Sequence, residues 1–271
     1  MDTPLLPGTA LITGASAGIG ATYADRLARR GHDLLLVARN PARLDALAEH
    51  LRASTGVAVE TWSADLTDSE AVAQLARRVH DDPAIDLLVN NAGMAVGGPL
   101  LGARPQALDE MIRLNVTAAT QLAVAAAGAF AARGHGTLIN IASVLALAPE
   151  LFNGAYSGTK AYVLNLSQAL QRELAPHGVR VQAVLPGATR TDLWERSGID
   201  LSQLPAEMLM DVDEMVDAAL AGLDLGETVT LPSLPDAQEW DAFNAMRLGL
   251  GPRLSLRHAA PRYTHVARAA S

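Results

Sequence analysis

The chain has 271 residues, of which 49% are apolar and 18% charged; this composition excludes a disordered protein, and the length suffices for one large α/β domain. Its net charge is −8 and it shows no basic stripe, which argues against a protein that binds nucleic acid. It contains no cysteine, which excludes disulfides and thiolate metal sites, and its first residues lack the basic region of a signal peptide, so we expect a cytoplasmic protein.

Seven short apolar runs predict the strands of one sheet. They are residues 10–13, 33–38, 57–64, 86–90, 137–143, 180–185 and 227–231. The runs are hydrophobic almost without interruption, which is typical of strands that are buried on both faces. Patterns of helical period lie between them, at residues 19–31, 41–51, 69–80, 105–132, 153–175 and 214–225. This alternation predicts an α/β fold with a doubly wound, parallel seven-stranded sheet and helices on both faces.

We assign residues 1–231 to a single domain and residues 232–271 to a C-terminal extension that packs on it. Prolines at positions 232, 235, 252 and 261 interrupt the extension, and a short helix is expected at 239–248. Within the domain, the alanine-rich stretch 116–132 is uncharged, but it is only weakly apolar and short for a membrane span. We therefore interpret it as a buried or subunit-facing helix.

The stretch TGASAGIG, residues 13–20, joins the first predicted strand to the first predicted helix. The amide groups at a helix N-terminus are unpaired and carry a partial positive charge, so they attract phosphate. Glycine at this junction allows a tight turn and lets a pyrophosphate approach the backbone. The three glycines therefore predict a dinucleotide site, although a tight strand-to-helix turn alone would also account for them.

The spacing of this loop is Thr-Gly-x3-Gly-x-Gly, and it resembles the glycine motif of the short-chain dehydrogenase/reductase family in its single-domain, classical form. Further motifs match in the family's order: Asn90-Asn91-Ala92-Gly93 after the fourth strand, Asn115 in the long helix, Ser143, Tyr156-x3-Lys160, and Pro186-Gly187 after the sixth strand. The resemblance covers residues 8–231 and leaves the tail uncovered. It implies that the domain is a Rossmann fold that binds a dinucleotide and carries the catalytic site.

Tyr156 and Lys160 are four residues apart on a predicted helix, so they share a face. A free tyrosine has a pKa of about 10, and a nearby ammonium lowers the pKa of the phenol by favouring the phenolate. The pair is therefore a sensible acid/base device near neutral pH. An isolated pair of this kind would fit an exposed helix face better.

The resemblance implies a role for each of four catalytic residues. Tyr156 exchanges a proton with the substrate oxygen, and Ser143 donates a hydrogen bond to the same oxygen. Lys160 holds the nicotinamide ribose hydroxyls and tunes the tyrosine, while Asn115 holds a water that links the lysine to solvent. From the residues alone, Ser143 would also fit a turn at a strand end, and Asn115 would fit a polar side chain that bonds a neighbouring backbone.

The second strand ends in Ala38, where an NAD enzyme of this architecture often has an acidic residue, and Arg39 follows. A guanidinium can bind the 2′-phosphate of NADP through paired hydrogen bonds, so NADP(H) is the predicted cofactor. The glycine loop lacks a second basic residue, since positions 16 and 17 are Ser and Ala. The expected cofactor-binding residues are Gly14, Ser16, Gly18, Ile19, Gly20, Arg39, Asp65, Leu66, Asn91, Ala92, Gly93, Tyr156, Lys160, Pro186, Gly187, Thr189 and Thr191.

The segment after Pro186-Gly187, at about residues 188–212, is where the family builds its substrate lid. Two sets of apolar side chains either line the substrate pocket or simply pack, and both readings stay open. They are Leu193, Trp194, Leu204 and Met208 in the lid, and Trp240, Phe243 and Met246 in the tail. The expected substrate is an apolar ketone or aldehyde.

These features predict an NADP-dependent oxidoreductase that interconverts a carbonyl and an alcohol by hydride transfer. Two other functions stay open: a non-catalytic NADP-binding sensor or regulator on the same fold, and a structural protein that uses its long apolar helices. Because family members are commonly dimers or tetramers, we expect a homodimer or homotetramer formed through the helices near Pro105 and Asn153. No zinc or hydrolase pattern is present, so we expect no metal, and no nucleic-acid or membrane partner.

Overall fold

A computed structural model of the chain describes residues 7–191, 197 and 204–264. The chain divides into two compact units, Met1–Pro232 and Ser233–Ser271.

The first unit contains a seven-stranded sheet in which all neighbouring strands are parallel. Its strands are β1 (Thr9–Thr13), β2 (Asp33–Ala38), β3 (Val59–Ser63), β4 (Ile85–Asn90), β5 (Gly136–Ile141), β6 (Val179–Val184) and β7 (Val229–Thr230). The strand order is β3-β2-β1-β4-β5-β6-β7. The predicted doubly wound, parallel Rossmann sheet is confirmed.

Helices cover both faces of this sheet. They are α1 (Gly18–Arg29), α2 (Pro41–Thr55), α3 (Ser69–Asp81), α4 (Pro105–Ile112), α5 (Ala119–Arg133), α6 (Gly154–Leu174) and α7 (Val212–Asp224). Side chains of each strand alternate between the faces. Leu34 and Leu36 of β2 pack in one core layer with α1, α2 and α7, whereas Leu35 and Val37 pack in the other with α3, α5 and α6.

The long helix expected at 105–132 is interrupted by a π-helical turn at Arg113–Ala118. A π turn holds more residues than an α turn and often occurs at functional sites. Here it contains Asn115, which is buried. The continuous segment Pro105–Arg133 is long and apolar enough to cross a membrane by length and composition, and half of its most apolar window is buried. Leu122, Ala126 and Phe130 of this segment belong to the core layer, which agrees with a core helix.

Several strands are shorter than their apolar runs. The third run, residues 57–64, extends beyond β3 at both ends, and β5 ends at Ile141, two residues before Ser143. Ser143 instead precedes a 3-10 turn at Val144–Ala146. The last run, residues 227–231, forms only the two-residue strand β7, which pairs with β6 at the edge of the sheet.

The second unit contains α8 (Ala237–Gly249) and the short helix α9 (Pro261–Thr264). Asp236 caps α8 by accepting a hydrogen bond from the backbone N–H of Gln238, at 2.9 Å. The rings of Trp240 and Phe243 lie 5.7 Å apart, and Met246 is exposed. Their expected role toward the substrate stays a prediction.

Candidate active site

A cavity of about 870 Å³ lies at the carboxyl end of the sheet in the first unit. It is bordered by residues that follow β1, β2, β3, β4, β5 and β6. The predicted site residues that line it are Gly14, Ser16, Gly18, Ile19, Arg39, Asp65, Leu66, Asn91, Ala92, Gly93, Ser143, Tyr156, Lys160, Pro186, Gly187, Thr189 and Thr191. Two predicted residues do not line it, namely Gly20 and Asn115. The motifs that are scattered along the sequence therefore meet around one space.

The glycine loop has the backbone shape that the sequence predicts. Gly14 and Gly18 have positive φ angles of 67° and 52°, which side-chain-bearing residues rarely adopt. Gly20 does not line the cavity because it packs behind the loop: a Cβ atom there would clash with the carbonyl oxygen of Gly14 and approach Asn91 Nδ2 to 2.7 Å. Ala17, which precedes α1, gives this helix no side-chain cap. The first amides of α1 therefore face the region where a phosphate would bind.

Thr13 connects the glycine loop to the segment after β4. Its Oγ1 accepts hydrogen bonds from the backbone N–H groups of Asn91 and Ala92, both at 2.9 Å. In return, Asn91 Nδ2 donates to the carbonyl oxygen of Thr13 at 2.8 Å. These reciprocal bonds fix the ends of β1 and β4 against each other, which a reading of the glycine loop alone misses.

The end of β2 carries two arginines rather than one. Arg39 and Arg43 are both exposed and both line the cavity. Asn40 caps α2 by accepting a hydrogen bond from the backbone N–H of Arg43, at 3.0 Å. Arg43 was missed from the sequence, although Pro41 signals that α2 begins there and that position 43 lies in its first turn.

The segment after β3 is held by its own side chains. Asp65 Oδ1 accepts hydrogen bonds from both the backbone N–H and the hydroxyl of Thr67, each at 2.9 Å. Leu66 is buried, and both predicted residues line the cavity. The Asp65 carboxylate therefore builds a turn as well as bordering the space.

Tyr156 is buried in an apolar surround. Its ring meets the ring of Phe152 edge-on, with centroids 5.4 Å apart, and it clusters with Ala95 and Met111. Burial raises the pKa of Tyr156 above its usual value because it disfavours the phenolate. This direction is opposite to the one expected from the neighbouring lysine. Desolvation outweighs the ammonium, since Lys160 Nζ lies 5.8 Å from the ring centroid.

Lys160 is buried on the same face of α6. Its Nζ donates a hydrogen bond to the carbonyl oxygen of Ile141 at 2.9 Å. Burial lowers the pKa of Lys160 to about 8, because an ammonium loses hydration there. The group is therefore mainly charged at neutral pH and titrates just above it.

Ser143 lies in the turn between β5 and α6 and borders the cavity. Its Oγ accepts a hydrogen bond from the backbone N–H of Leu145 at 3.2 Å, and it lies 3.5 Å from the carbonyl oxygen of Pro186, to which it donates. The bond to Pro186 is long, so the hydroxyl can exchange it for another acceptor.

Asn115 uses its side chain to hold protein groups. Its Oδ1 accepts from the backbone N–H of Met94 at 2.9 Å, and its Nδ2 donates to the carbonyl oxygen of Met94 at 2.8 Å. Nδ2 also donates to the hydroxyl of Thr159 at 3.2 Å, and that hydroxyl donates to the carbonyl oxygen of Tyr156 at 2.7 Å. This is the alternative that the sequence left open for the asparagine, a bond to a neighbouring backbone. The water that the resemblance assigns to Asn115 stays a prediction.

The segment after β6 closes one side of the cavity. Thr189 forms a parallel bridge with Met210, and the methyl group of Thr191 lies close to Gly18. Leu204 and Met208 line the cavity, as one of the two readings of the sequence expected. Leu193 and Trp194 lie outside the described residues.

The family model described as short chain dehydrogenase matches residues 8–201. This chain belongs to the short-chain dehydrogenase family. A short-chain dehydrogenase from Sphingobium yanoikuyae, solved in complex with NADPH, is 52% identical with a TM-score of 0.92, and the match covers 94% of this chain and 99% of that one.

Two further proteins are similar to this chain. The bulky-bulky ketone specific alcohol dehydrogenase from Comamonas testosteroni is 48% identical with a TM-score of 0.87, over 94% of this chain and 98% of that one. Gluconate 5-dehydrogenase from Gluconobacter oxydans is 34% identical over 224 residues, which is 78% of this chain and 85% of that protein.

Proposed function

We propose that this short-chain dehydrogenase is an NADP(H)-dependent oxidoreductase that interconverts an apolar ketone or aldehyde and the corresponding alcohol. One observation carries the proposal: Ser143, Tyr156 and Lys160 line the same cavity as the glycine loop. A protein that only sensed the dinucleotide would have no need of a buried proton donor beside that loop. The coarser conclusion, an oxidoreductase that acts on alcohol and carbonyl groups, follows from the family.

The residues that line the cavity fit NADP(H). The positive φ angles of Gly14 and Gly18 leave the backbone of the loop open to a pyrophosphate at the start of α1. Arg39 and Arg43 supply two guanidinium groups for a 2′-phosphate. The Sphingobium relative was solved in complex with NADPH, which agrees with this assignment. When bound, the nicotinamide supplies or accepts the hydride.

The protein residues would handle the proton and the orientation of the substrate. Tyr156 is protonated at neutral pH and would donate its proton to the carbonyl oxygen, although burial raises its pKa and so makes it a weaker acid than a free tyrosine. Ser143 would exchange its long bond to Pro186 for a bond to the same oxygen. The ammonium group of Lys160 has three N–H donors, and one of them binds the carbonyl oxygen of Ile141. The other two would bind the ribose hydroxyls.

The substrate side of the cavity favours apolar groups. Met94, Leu145 and Phe152 line it and pack against the cluster that contains Tyr156. Leu204 and Met208 add apolar surface from the segment after β6. The relative from Comamonas testosteroni is named for bulky-bulky ketones, and its likeness supports a ketone with large apolar substituents here.

The test is the consumption of NADPH with ketones and aldehydes graded from small and polar to bulky and apolar, for the wild type and for Tyr156→Phe. We expect turnover with bulky apolar ketones, and a loss of about 10²- to 10⁴-fold in kcat in the variant, the range of general acid catalysis. Turnover that survives in Tyr156→Phe would contradict the acid role. NADPH binding without turnover on any compound would favour the sensor.

We also propose a homodimer or homotetramer through α5 and α6. Gln121 and Val124 of α5 are exposed, and so is Tyr162 of α6, whose hydroxyl lies 2.9 Å from that of Thr120. The exposed faces of α5 and α6 are thus weakly polar, and the contact between the hydroxyls of Thr120 and Tyr162 joins them into one surface. Equilibrium sedimentation that finds only monomer at micromolar protein would contradict the assembly. The cytoplasmic location stays a prediction.

A further inference from the structure

The segment between β4 and α4, residues 91–104, is held by side chains at successive points along its backbone. Thr13 binds its first two amides, and Asn115 binds both polar groups of Met94. The third point is Asn153, which binds the carbonyl oxygens of Val96 and Gly98. The first two residues belong to motifs of the family, whereas nothing in those motifs accounts for Asn153.

Asn153 makes two kinds of bond at the start of α6. Its Oδ1 accepts from the backbone N–H of Tyr156 at 3.0 Å, which caps the helix. Its Nδ2 donates to the carbonyl oxygen of Val96 at 2.6 Å and to that of Gly98 at 3.2 Å. The orientation of the amide is fixed by chemistry, because it faces one N–H group and two carbonyl oxygens.

The segment that Asn153 holds forms the apolar surround of Tyr156. Ala95 is buried in the cluster with the Tyr156 ring, and Met94 and Val96 pack against the same cluster. Met94 also lines the cavity. The position of this wall relative to the phenol therefore depends on a side chain that lies three residues before the phenol on the same helix.

A helix cap alone does not require asparagine. Serine and aspartate cap a helix about as well as asparagine, and threonine does so somewhat less well. None of them offers an NH2 group, so none can accept from Tyr156 and donate to two carbonyl oxygens at the same time. The additional donor is the feature that distinguishes Asn153 from an ordinary cap.

We propose that Asn153 is a positioning residue that ties the Val96–Gly98 backbone to α6 and thereby sets the width of the substrate cavity beside Tyr156. The inference rests on the proposed function in one respect, that the cavity accepts a ketone. When Asn153 makes these bonds, the apolar segment Met94–Val96 is held against the phenol of Tyr156, and large apolar substituents are bound in one orientation. Without these bonds, the segment moves away and the fit to such substituents is lost.

The test compares Asn153→Ser with Asn153→Ala in the full-length protein. Serine can still cap the helix, but its side chain is shorter and has one donor, so it cannot replace the two bonds to the carbonyl oxygens. Alanine loses the cap and both of those bonds. Two readouts are used: hydrogen exchange of the peptide that covers residues 95–104, and KM and kcat for a bulky aryl ketone and for acetone at saturating NADPH.

We expect both variants to exchange faster than the wild type in residues 95–104. We also expect both to raise KM for the bulky ketone about fivefold or more, with a smaller change for acetone and an unchanged Kd for NADPH. Asn153→Ser should keep the part of the thermal stability that the helix cap supplies and that Asn153→Ala loses, which separates the cap from the two bonds to the carbonyl oxygens.

Wild-type exchange and kinetics in Asn153→Ser would overturn the proposal and leave Asn153 as a cap. Faster exchange with an unchanged preference between the two ketones would overturn the link to substrate selection. If the wild type reduced no ketone, the proposed function would fail, and the exchange of residues 95–104 would still decide whether Asn153 holds the segment.

Discussion

Lys160 Nζ donates a buried hydrogen bond of 2.9 Å to the carbonyl oxygen of Ile141, the last residue of β5. The bond joins α6, which carries Tyr156, to the strand that leads into Ser143. The side chains proposed to act on the substrate and the cofactor are thus linked by a contact between a helix and a strand end. The charge of Lys160 depends on pH near neutrality, because burial lowers its pKa to about 8.

The first prediction concerns the pH dependence of cofactor capture. Since kcat/KM reports ionisations of the free enzyme, kcat/KM for NADPH should fall as the pH rises through about 8 and Lys160 loses its proton. Initial rates at a saturating ketone concentration, from pH of about 6.5 to about 9.5, measure this. A flat profile over that range would contradict the assignment.

The second prediction concerns stability. The folded pKa of Lys160 lies below the value of about 10.4 for an unfolded lysine, so between the two values the unfolded chain binds more protons. The free energy of unfolding should therefore rise with pH from about 8 toward about 10 in the wild type relative to Lys160→Met. Urea denaturation of both proteins measures the difference. The scan must stop near pH of about 10, because the raised pKa of Tyr156 has the opposite sign above its unfolded value.

The third prediction concerns the two arginines after β2. Arg39→Ala and Arg43→Ala should each raise KM for NADPH about tenfold, since each removes a charge-assisted bond to the 2′-phosphate. KM for NADH should change little, because that cofactor lacks the phosphate. Arg172→Ala, an exposed arginine in the last turn of α6, is the matched control. Equal effects on both cofactors would rule out recognition of the phosphate.

The fourth prediction concerns Gly20. A methyl group there would clash with the carbonyl oxygen of Gly14, so Gly20→Ala must displace the glycine loop. We expect the variant to lose at least about tenfold in affinity for NADPH, measured by the quenching of protein fluorescence. Gly249→Ala at the end of α8 is the control, because nothing in the described part of the chain lies within 4 Å of its added methyl group. Tight binding of NADPH by Gly20→Ala would mean that the loop has another shape.

The fifth prediction concerns Thr159, whose hydroxyl lies between Asn115 and the backbone of Tyr156. Thr159→Val keeps the shape but leaves Asn115 Nδ2 with one partner fewer in a buried position, which should cost about 1–3 kcal/mol in the free energy of unfolding. Thr159→Ser keeps the hydroxyl and should recover most of that loss. Equal stability of the valine and serine variants, by urea denaturation, would show that the hydroxyl is unimportant.

The sheet could be predicted because each of its strands is encoded by a short stretch of neighbouring residues. Each strand reads as an apolar run, and the alternation of Leu34 to Val37 between two core layers follows from the strand period. The residues around the cavity could be predicted because the glycine loop and the Tyr-x3-Lys pair keep their spacing. Each of those motifs lies at a strand end or a helix start, where a parallel sheet brings side chains to one edge.

The rest depends on contacts that the sequence does not display. Residues 113–118 read as plain helix, since a π turn uses the same residue types as an α turn. The two carbonyl groups that Asn153 binds lie more than fifty residues away in the chain, and the burial that raises the pKa of Tyr156 comes from apolar side chains on several other elements. Residue type and spacing singled out Tyr156 but not Asn153, and only the packing shows the partners of either residue.

The strand order has one further consequence. From the neighbouring strands β1 and β4, the chain leaves toward opposite faces of the sheet, into α1 on one side and into α4 and α5 on the other. Two connections that diverge in this way open a crevice at a topological switch point, and no side chain has to be removed to create it. Substitutions in this protein can change which molecule the crevice accepts. The place of the crevice in the sheet is set by the order of the strands.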